Sequence, residues 1–245
     1  MYPTDVQAKD MILSIGRRMY DKQFVSANDG NITIRVDDRA VWATPTGVSK
    51  GALTPEMLIK VDFDGVVLEG IYQPTCELNM HLNIYRTNNE IMSTAHAHPL
   101  HMATFACAGI ELDVPMNPPA AAIVGRVPVA PYRCPGTKGL ADSVIPYVNS
   151  YHMVNLANHG PISWGKTPME AWYRLEAAEA ACELAMMLQF RLNGKLRPLT
   201  LEQLNEIMMV HHVDMSEQGM VSPAAETDNQ APNGIPFSSF FAIES

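Results

Sequence analysis

The sequence predicts an α/β protein with one main domain, in which helices and strands alternate along the chain. Apolar residues recur at helical spacing over residues 5–22, short β-branched runs follow them, and a long Ala/Leu/Glu-rich segment at 167–192 is strongly helical. A chain of 245 residues with 47% hydrophobic content can bury a large core. We therefore expect one domain over residues 1–215 and a tail over residues 216–245.

The first third of the chain combines one helix with several strands. The amphipathic segment 5–22 predicts an opening helix, because its apolar positions alternate with charged ones at helical spacing. Strand candidates, which are short and rich in β-branched or apolar residues, lie at residues 32–36, 41–43, 58–62 and 66–68. Asp64-Gly65 is the turn signal between the last two.

In the middle of the chain, Thr75 is a candidate cap for a helix through residue 85, and residues 90–97 predict a strand. The proline-rich segment 115–135 predicts an edge strand with loops, since proline cannot donate to a sheet ladder. Further elements are expected as a helix at 140–149 and a buried strand at 153–157.

The last third is mostly helical. Thr167 and Pro168 suit the start of a helix that ends near residue 192 at Asn193-Gly194, and another helix is expected at 200–213. The tail is too polar to pack as a unit. Its aromatic end, with Phe237, Phe240 and Phe241, is expected to dock on a neighbouring subunit.

Charge and cysteine content narrow the class of protein. The net charge of −9 includes no basic run, which argues against nucleic acid or an anionic membrane as the main partner. The four cysteines have no C-x-x-C spacing, which argues against a disulfide framework or a structural zinc knuckle. Because no leader and no apolar stretch of about 20 residues stands out, we expect a cytoplasmic protein without a membrane partner.

His96 and His98 are the most informative residues. In a strand, residues two apart leave the same face with Cα atoms about 6.6 Å apart, so both imidazoles can approach one ion. His159 also follows a buried apolar strand, and if the two strands are neighbours the three rings can surround a metal with open positions. Glu77 is the carboxylate that could complete the site.

Ordinary explanations exist for each of these residues. The two histidines of a lone H-x-H are more often ordinary polar or core residues than metal ligands. Glu77 could be a helix N-terminal carboxylate that interacts only with the helix dipole. Gly30-Asn31 and Thr46-Gly47 could be plain turns. His101 falls on the first turn of the next helix, where a structural or pocket role is favoured over metal binding.

Five motifs in order resemble the class II aldolase/adducin family: Gly30-Asn-Ile-Thr33, Thr44-Pro-Thr-Gly47, Thr75-Cys-Glu77, His96-Ala-His98 and Asn158-His-Gly160. The resemblance covers the chain to about residue 194. It implies a three-layer α/β/α fold with a central mixed, largely antiparallel sheet. It also implies a homotetramer whose active sites lie at subunit interfaces.

The resemblance also implies roles for individual residues. His96, His98 and His159 would bind a divalent metal, with zinc as the first expectation and manganese or cobalt as alternatives, and Glu77 would be the catalytic acid/base. Gly30, Asn31, Thr46, Gly47, Thr75 and Cys76 would hold the phosphate of a sugar phosphate. Backbone N–H groups in glycine turns and at a helix start can bind an anion without a basic cluster.

The expected reaction is retro-aldol cleavage of a ketose 1-phosphate, such as L-fuculose 1-phosphate, to dihydroxyacetone phosphate and an aldehyde. A metal acting as a Lewis acid would stabilise the enediolate. Two departures from the family pattern leave alternatives open, because Cys76 stands where a hydroxyl is usual and Asn117 lies in the segment where the aldolases carry a tyrosine. The alternatives are a sugar-phosphate 4-epimerase, a metal-dependent decarboxylase and a non-enzymatic, adducin-like binding module.

Overall fold

The computed structural model describes residues 1–213 and 235–236, and its centre is one eight-stranded sheet. The strands are β1 (Asn31–Arg35), β2 (Ala40–Ala43), β3 (Ile59–Asp62), β4 (Val67–Glu69), β5 (Ser93–His96), β6 (Ile110–Glu111), β7 (Val129–Ala130), β8 (Met153–Leu156), β9 (Gly160–Gly165) and β10 (Ile235–Pro236). The large sheet has the order β4-β3-β2-β1-β5-β9-β8-β7. Only β7 and β8 run parallel in it, and β10 pairs with β6 in a separate parallel ladder.

Helices cover both faces of this sheet. They are α1 (Asp5–Asp21), α2 (Leu78–Thr87), α3 (Leu100–Ala108), α4 (Lys138–Ser143), α5 (Pro168–Arg191) and α6 (Leu201–Val210). The Thr4 hydroxyl caps α1, Thr167 caps α5 and Thr200 caps α6, each by accepting an N–H from the first turn. The start of α5 predicted at Thr167 and Pro168 is therefore confirmed.

Alternation along the strands builds two hydrophobic cores. In β2, Trp42 packs into the core under α1, α3 and α5, whereas Val41 and Ala43 pack into the core under α2 and α4. Trp172 of α5 is fully buried in the first core. The result is the predicted three-layer α/β/α fold with a mixed, largely antiparallel sheet, so the fold prediction is confirmed.

Several predicted boundaries are wrong. The helix expected from Thr75 begins at Leu78, because the N–H of Thr75 donates to the Thr44 carbonyl and keeps the chain extended there. The strand expected at 90–97 is only Ser93–His96, so His98 lies beyond its end. The helix expected at 140–149 is α4 followed by a 3-10 turn at Ile145–Tyr147.

One central strand was missed altogether. β9 lies between β5 and β8 and is buried along its length, yet its sequence Gly-Pro-Ile-Ser-Trp-Gly has little strand character. Pro161 is tolerated inside β9 because pairing with β5 and β8 on both sides holds this strand extended.

The segment 115–135 contains the edge strand β7, as predicted, and also a π-helical turn at Ala120–Val124.

The predicted aromatic tail contacts of Phe237, Phe240 and Phe241 lie outside the described residues. Within the described chain, α6 packs through Leu204 and Met208 against Ala121 of the π-helical turn. The domain limits of 1–215 and 216–245 remain a prediction. No helix in residues 1–213 is both long and apolar enough to cross a membrane.

Candidate metal centre

Three histidines meet at one end of the central sheet. His96 is the last residue of β5, His98 lies two residues further on, and His159 sits in the turn that joins β8 to β9. Because β9 pairs with both β5 and β8, it brings this turn beside His96. One ring nitrogen from each histidine lies within 4.8 Å of the other two.

A hydrogen bond orients the ring of His96 toward the other two histidines. Nδ1 of His96 donates to the Pro161 carbonyl at 2.9 Å, which leaves the lone pair on Nε2. Nε2 of His98 lies 3.1 Å from Nε2 of His96. Two ligands about 2.0–2.1 Å from a tetrahedral zinc stand about 3.3 Å apart, so the observed spacing suits one shared ion.

Gly160 allows the turn after His159 to approach His98. A Cβ atom at this position would lie 2.7 Å from the Ala97 carbonyl oxygen and 2.8 Å from Cδ2 of His98. Both distances are far below van der Waals contact. A side chain here would therefore push apart two of the three histidine-bearing segments.

Glu77 lies just before α2 and faces the histidines. Its Oε2 is 3.4 Å from Nε2 of His96, and its Oε1 is 3.4 Å from Nε2 of His159. The side-chain N–H of Asn31 donates to Oε2 at 2.8 Å, whereas Oε1 is buried without a hydrogen-bond partner. A buried, unpaired carboxylate oxygen is costly unless a ligand or a proton meets it.

Burial favours the neutral forms of His96 and His159. It lowers the pKa of His96 well below the usual value, and the rings of His98 and His159 lower it further. Burial also lowers the pKa of His159, an effect that Glu77 partly opposes. Neutral imidazole is the form that binds a metal.

These observations fit a divalent metal. The site offers three imidazole nitrogens and a carboxylate oxygen without a partner, a set of ligand types that suits zinc and other first-row metals. Asp29 stands 3.4 Å from Nδ1 of His98 and can hold the orientation of that ring. His101 is not part of the cluster, because its Nδ1 lies 2.8 Å from Oε1 of Glu179.

The six residues predicted to bind phosphate lie in three neighbouring segments, of which the first contains Asn31 at the start of β1. Asn31 is paired with His96 across β1 and β5, and Gly30 (φ 71°) approaches so closely that a Cβ would lie 2.8 Å from the His96 carbonyl oxygen. The N–H of Thr46 donates to the Gln73 carbonyl, which joins the Thr46-Gly47 turn to the segment before Thr75.

Thr75 and Cys76 complete this group beside Glu77. The Thr75 hydroxyl accepts the N–H of Glu77 at 3.3 Å, so this side chain has an internal partner. Burial raises the pKa of the Cys76 thiol, and Glu77 raises it further. A cavity of about 10 Å³, roughly room for one water, lies between Cys76, Glu77 and the turn at Gly136.

Asn31, His81 and Lys50 have polar contacts that were not predicted. Asn31 uses its side chain between Glu77 and the buried His81. Lys50, only 2% exposed, donates through Nζ to the carbonyls of Asn28 at 3.0 Å and Val48 at 2.7 Å. The spacing of Glu77 and His81, four residues apart near one helix, was the available signal for the histidine.

Comparison with known proteins agrees with this geometry. The family described as Class II Aldolase and Adducin N-terminal domain matches residues 10–186. The chain belongs to the class II aldolase/adducin family. This assignment confirms the resemblance in the five sequence motifs, and divalent-metal dependence in the family fits the histidine cluster.

Members of the family with different named activities are similar to this chain. It is 30% identical to the 3-oxo-tetronate 4-phosphate decarboxylase of Pectobacterium atrosepticum over 208 residues, which cover 83% of this chain and 94% of the relative. It is 33% identical to the L-fuculose phosphate aldolase of Methanococcus maripaludis over 172 residues, covering 70% and 92%. The crystal structure of YgbL from Klebsiella pneumoniae matches with a TM-score of 0.77 and 28% identity, covering 84% and 99%.

Proposed function

We propose that this class II aldolase/adducin family member is a divalent-metal-dependent lyase acting on a small phosphorylated sugar or sugar acid. The observation that carries the proposal is the convergence of His96, His98 and His159 within 4.8 Å beside the unpaired Oε1 of Glu77. A binding module has no need for such a cluster. The chemistry served would be cleavage of a carbon–carbon bond next to a carbonyl.

His96, His98 and His159 would hold the metal, with zinc expected first and manganese or cobalt as alternatives. When bound, the ion supplies a Lewis acid that offsets negative charge on a carbonyl oxygen. The histidines contribute neutral ligands, so the ion keeps most of its charge for the substrate. His96 is buried, whereas His98 and His159 are half-buried, so a substrate would reach the ion from their side.

Glu77 is proposed as the acid/base. Asn31 holds Oε2 by a hydrogen bond, so Oε1 is the oxygen that can exchange a proton with the substrate. Loss of an aldehyde or of CO₂ leaves an enediolate, and the carbon that lost its partner must then gain a proton. Delivery of that proton from Oε1 serves both reactions.

The substrate's phosphate is assigned to Gly30, Asn31, Thr46, Gly47, Thr75 and Cys76. Support comes from the proximity of the three segments to one another and to Glu77. Because the side chains of Asn31 and Thr75 already have internal partners, backbone N–H groups would make a large share of the phosphate contacts.

Retro-aldol cleavage of a ketose 1-phosphate, such as L-fuculose 1-phosphate, is the first candidate reaction. The similarity to L-fuculose phosphate aldolase supports it. Decarboxylation of a phosphorylated 3-oxo sugar acid is the second candidate, because the decarboxylase relative matches a larger share of this chain. Cys76, in place of the hydroxyl usual in the family, also favours a substrate other than that of the aldolases. A 4-epimerase reaction would use the same site.

A product assay separates these candidates. The purified, metal-loaded protein is incubated with a panel of ketose 1-phosphates, 3-oxo-tetronate 4-phosphates and pentulose 5-phosphates. Release of an aldehyde together with dihydroxyacetone phosphate identifies an aldolase, and an isomeric sugar phosphate identifies an epimerase. Release of CO₂ identifies a decarboxylase, whose reaction on a 3-oxo-tetronate 4-phosphate also leaves dihydroxyacetone phosphate. If no product forms and the protein binds less than about 0.1 divalent ion per chain, the lyase proposal fails and the binding-module alternative is favoured.

We also propose a cytoplasmic homotetramer with its active sites at subunit interfaces. Support comes from exposed apolar residues on the edge strand β4 and the segment after it, including Leu68 and Ile71. Light scattering on the purified protein tests the tetramer. A monomer at all concentrations would contradict it.

A further inference from the structure

A row of buried hydrogen bonds connects side chains of β1, β5 and α2 and ends on Glu77. Thr33 lies on β1, Thr94 on β5, and Tyr85 and His81 on α2. The links are Tyr85 Oη to Thr33 Oγ1 (2.8 Å), Thr33 Oγ1 to Thr94 Oγ1 (2.6 Å), Thr94 Oγ1 to His81 Nδ1 (2.5 Å), His81 Nε2 to Asn31 Oδ1, and Asn31 Nδ2 to Glu77 Oε2 (2.8 Å).

The chemistry of the groups fixes the direction of the row near Glu77. A carboxylate only accepts, so the NH₂ of Asn31 faces Glu77 and its carbonyl oxygen must face His81. That oxygen also only accepts, so Nε2 of His81 carries the hydrogen. Burial lowers the pKa of His81 to about 4, so the ring is neutral and Nδ1 must accept from the Thr94 hydroxyl. Thr33 then donates to Thr94.

We propose that His81 is a positioning residue that holds Asn31 and thereby presents Oε1 of Glu77 to the histidine cluster. This inference rests on the proposed function, because it assigns His81 a role in that same site. An Asn amide that rotates by 180° fills nearly the same space, so packing alone does not fix its orientation. The N–H of His81 excludes the rotated form, because an NH₂ group would then face it.

The need to pair buried polar groups does not by itself explain why polar residues occupy these positions. His81 and Thr94 are fully buried, and burying polar groups in a core costs free energy even when they are paired. An apolar pair at these positions would fill the core without that cost. The polar row instead connects β1, β5 and α2, the three elements from which Asn31, His96 and Glu77 arise.

Substitutions at His81 test the role directly. His81→Phe keeps a planar ring and removes both nitrogens, whereas His81→Gln keeps an N–H that can reach Asn31. We expect His81→Phe to lower kcat by about ten- to hundredfold, as loss of a partner behind a site residue typically does, with KM changed less than about threefold. His81→Gln should recover at least half of that loss on a logarithmic scale. Equal kcat for His81→Phe and wild type would overturn the proposal.

A matched pair on β5 keeps the test valid if His81→Phe fails to fold. Thr94→Val interrupts the row, whereas Ser93→Ala removes an adjacent buried hydrogen bond, from Ser93 Oγ to the Thr33 carbonyl at 3.0 Å, without interrupting it. Thr94→Val should lower kcat by about three- to tenfold with unchanged metal content, and Ser93→Ala by less than about twofold. Equal losses of kcat in the two variants would contradict a positioning role.

A spectroscopic readout separates this inference from the proposed function. Long-range ¹H–¹⁵N spectra of the metal-loaded protein should show His81 as the neutral tautomer with hydrogen on Nε2, and the crystal structure of His81→Phe should show a displaced side chain of Asn31 or Glu77. Hydrogen on Nδ1 would overturn the inference whatever the activity. The expected tautomer in a protein that yields no product from the substrate panel would instead count against the lyase assignment alone.

Discussion

Lys50 gives a stability prediction whose magnitude follows from its burial. Its ammonium group joins the carbonyl of Asn28, next to the Gly30-Asn31 turn, to the carbonyl of Val48, next to the Thr46-Gly47 turn. Burial lowers the pKa of Lys50 to about 8, although Asp29 partly opposes the shift. We consider the substitution Lys50→Met, which keeps much of the side-chain volume and removes the titrating group.

The sign of the effect follows from proton binding. In the unfolded chain Lys50 keeps its proton up to a pH near 10.5, whereas the folded protein releases it near pH 8. Between these values the unfolded state binds more protons, so the free energy of unfolding rises with pH. At about 1.36 kcal/mol per pH unit, the full window corresponds to about 3 kcal/mol.

Urea unfolding between pH 7 and 10, at fixed protein and metal concentration, measures this difference. The free energy of unfolding of wild type, relative to that of Lys50→Met, should increase by about 2–3 kcal/mol over the window. Lys138→Met, at an exposed lysine, should give a curve parallel to wild type. Parallel curves for wild type and Lys50→Met would refute the reasoning, because Lys50 would then titrate normally in the folded protein.

Three further predictions concern the site itself. Glu77→Gln keeps an oxygen that accepts from Asn31, so it should retain the metal, measured by mass spectrometry, while kcat falls by about 10²–10⁴. Gly160→Ala forces a Cβ to within 2.8 Å of His98, and isothermal titration should show at least about tenfold weaker zinc binding. Cys76→Ser restores a stronger hydrogen-bond donor, so KM for a phosphorylated substrate should fall by about three- to tenfold with kcat nearly constant. Unchanged values in any of these assays would contradict the role assigned to that residue.

The sequence predicted elements whose local signals agree with their surroundings. Thr167 and Pro168 start α5. The alternating apolar residues of β1 pack in the first core and those of β3 in the second, and β2 contributes to both. The H-x-H spacing and the later His-Gly indicated three histidines that the structure does bring together. In these cases a few neighbouring residues are enough to predict the local structure or the candidate ligand.

The missed features depend on partners that are distant in sequence. β9 has two glycines and Pro161 within six residues, so its strand conformation comes from pairing with β5 and β8 rather than from local propensity. The hydrogen-bond partners of His81 could not be predicted, because Asn31 is 50 residues away and Thr94 lies on another element. The buried contacts of Lys50 likewise require two loops to meet.

The register of β5 with its two neighbours explains why one scaffold can serve several reactions. Asn31 of β1 is paired with His96, and Ile162 of β9, three residues after His159, is paired with the same histidine from the other side. A slip of one residue in either ladder would turn Asn31 or the His159 turn away from the site. The positions of His96, a proposed metal ligand, and of Asn31, which holds Glu77, are thus fixed by buried strands. Most residues proposed to recognise the substrate lie instead outside the strands. There Cys76 or Asn117 can change without disturbing that register, which is consistent with aldolases and decarboxylases among relatives of similar identity.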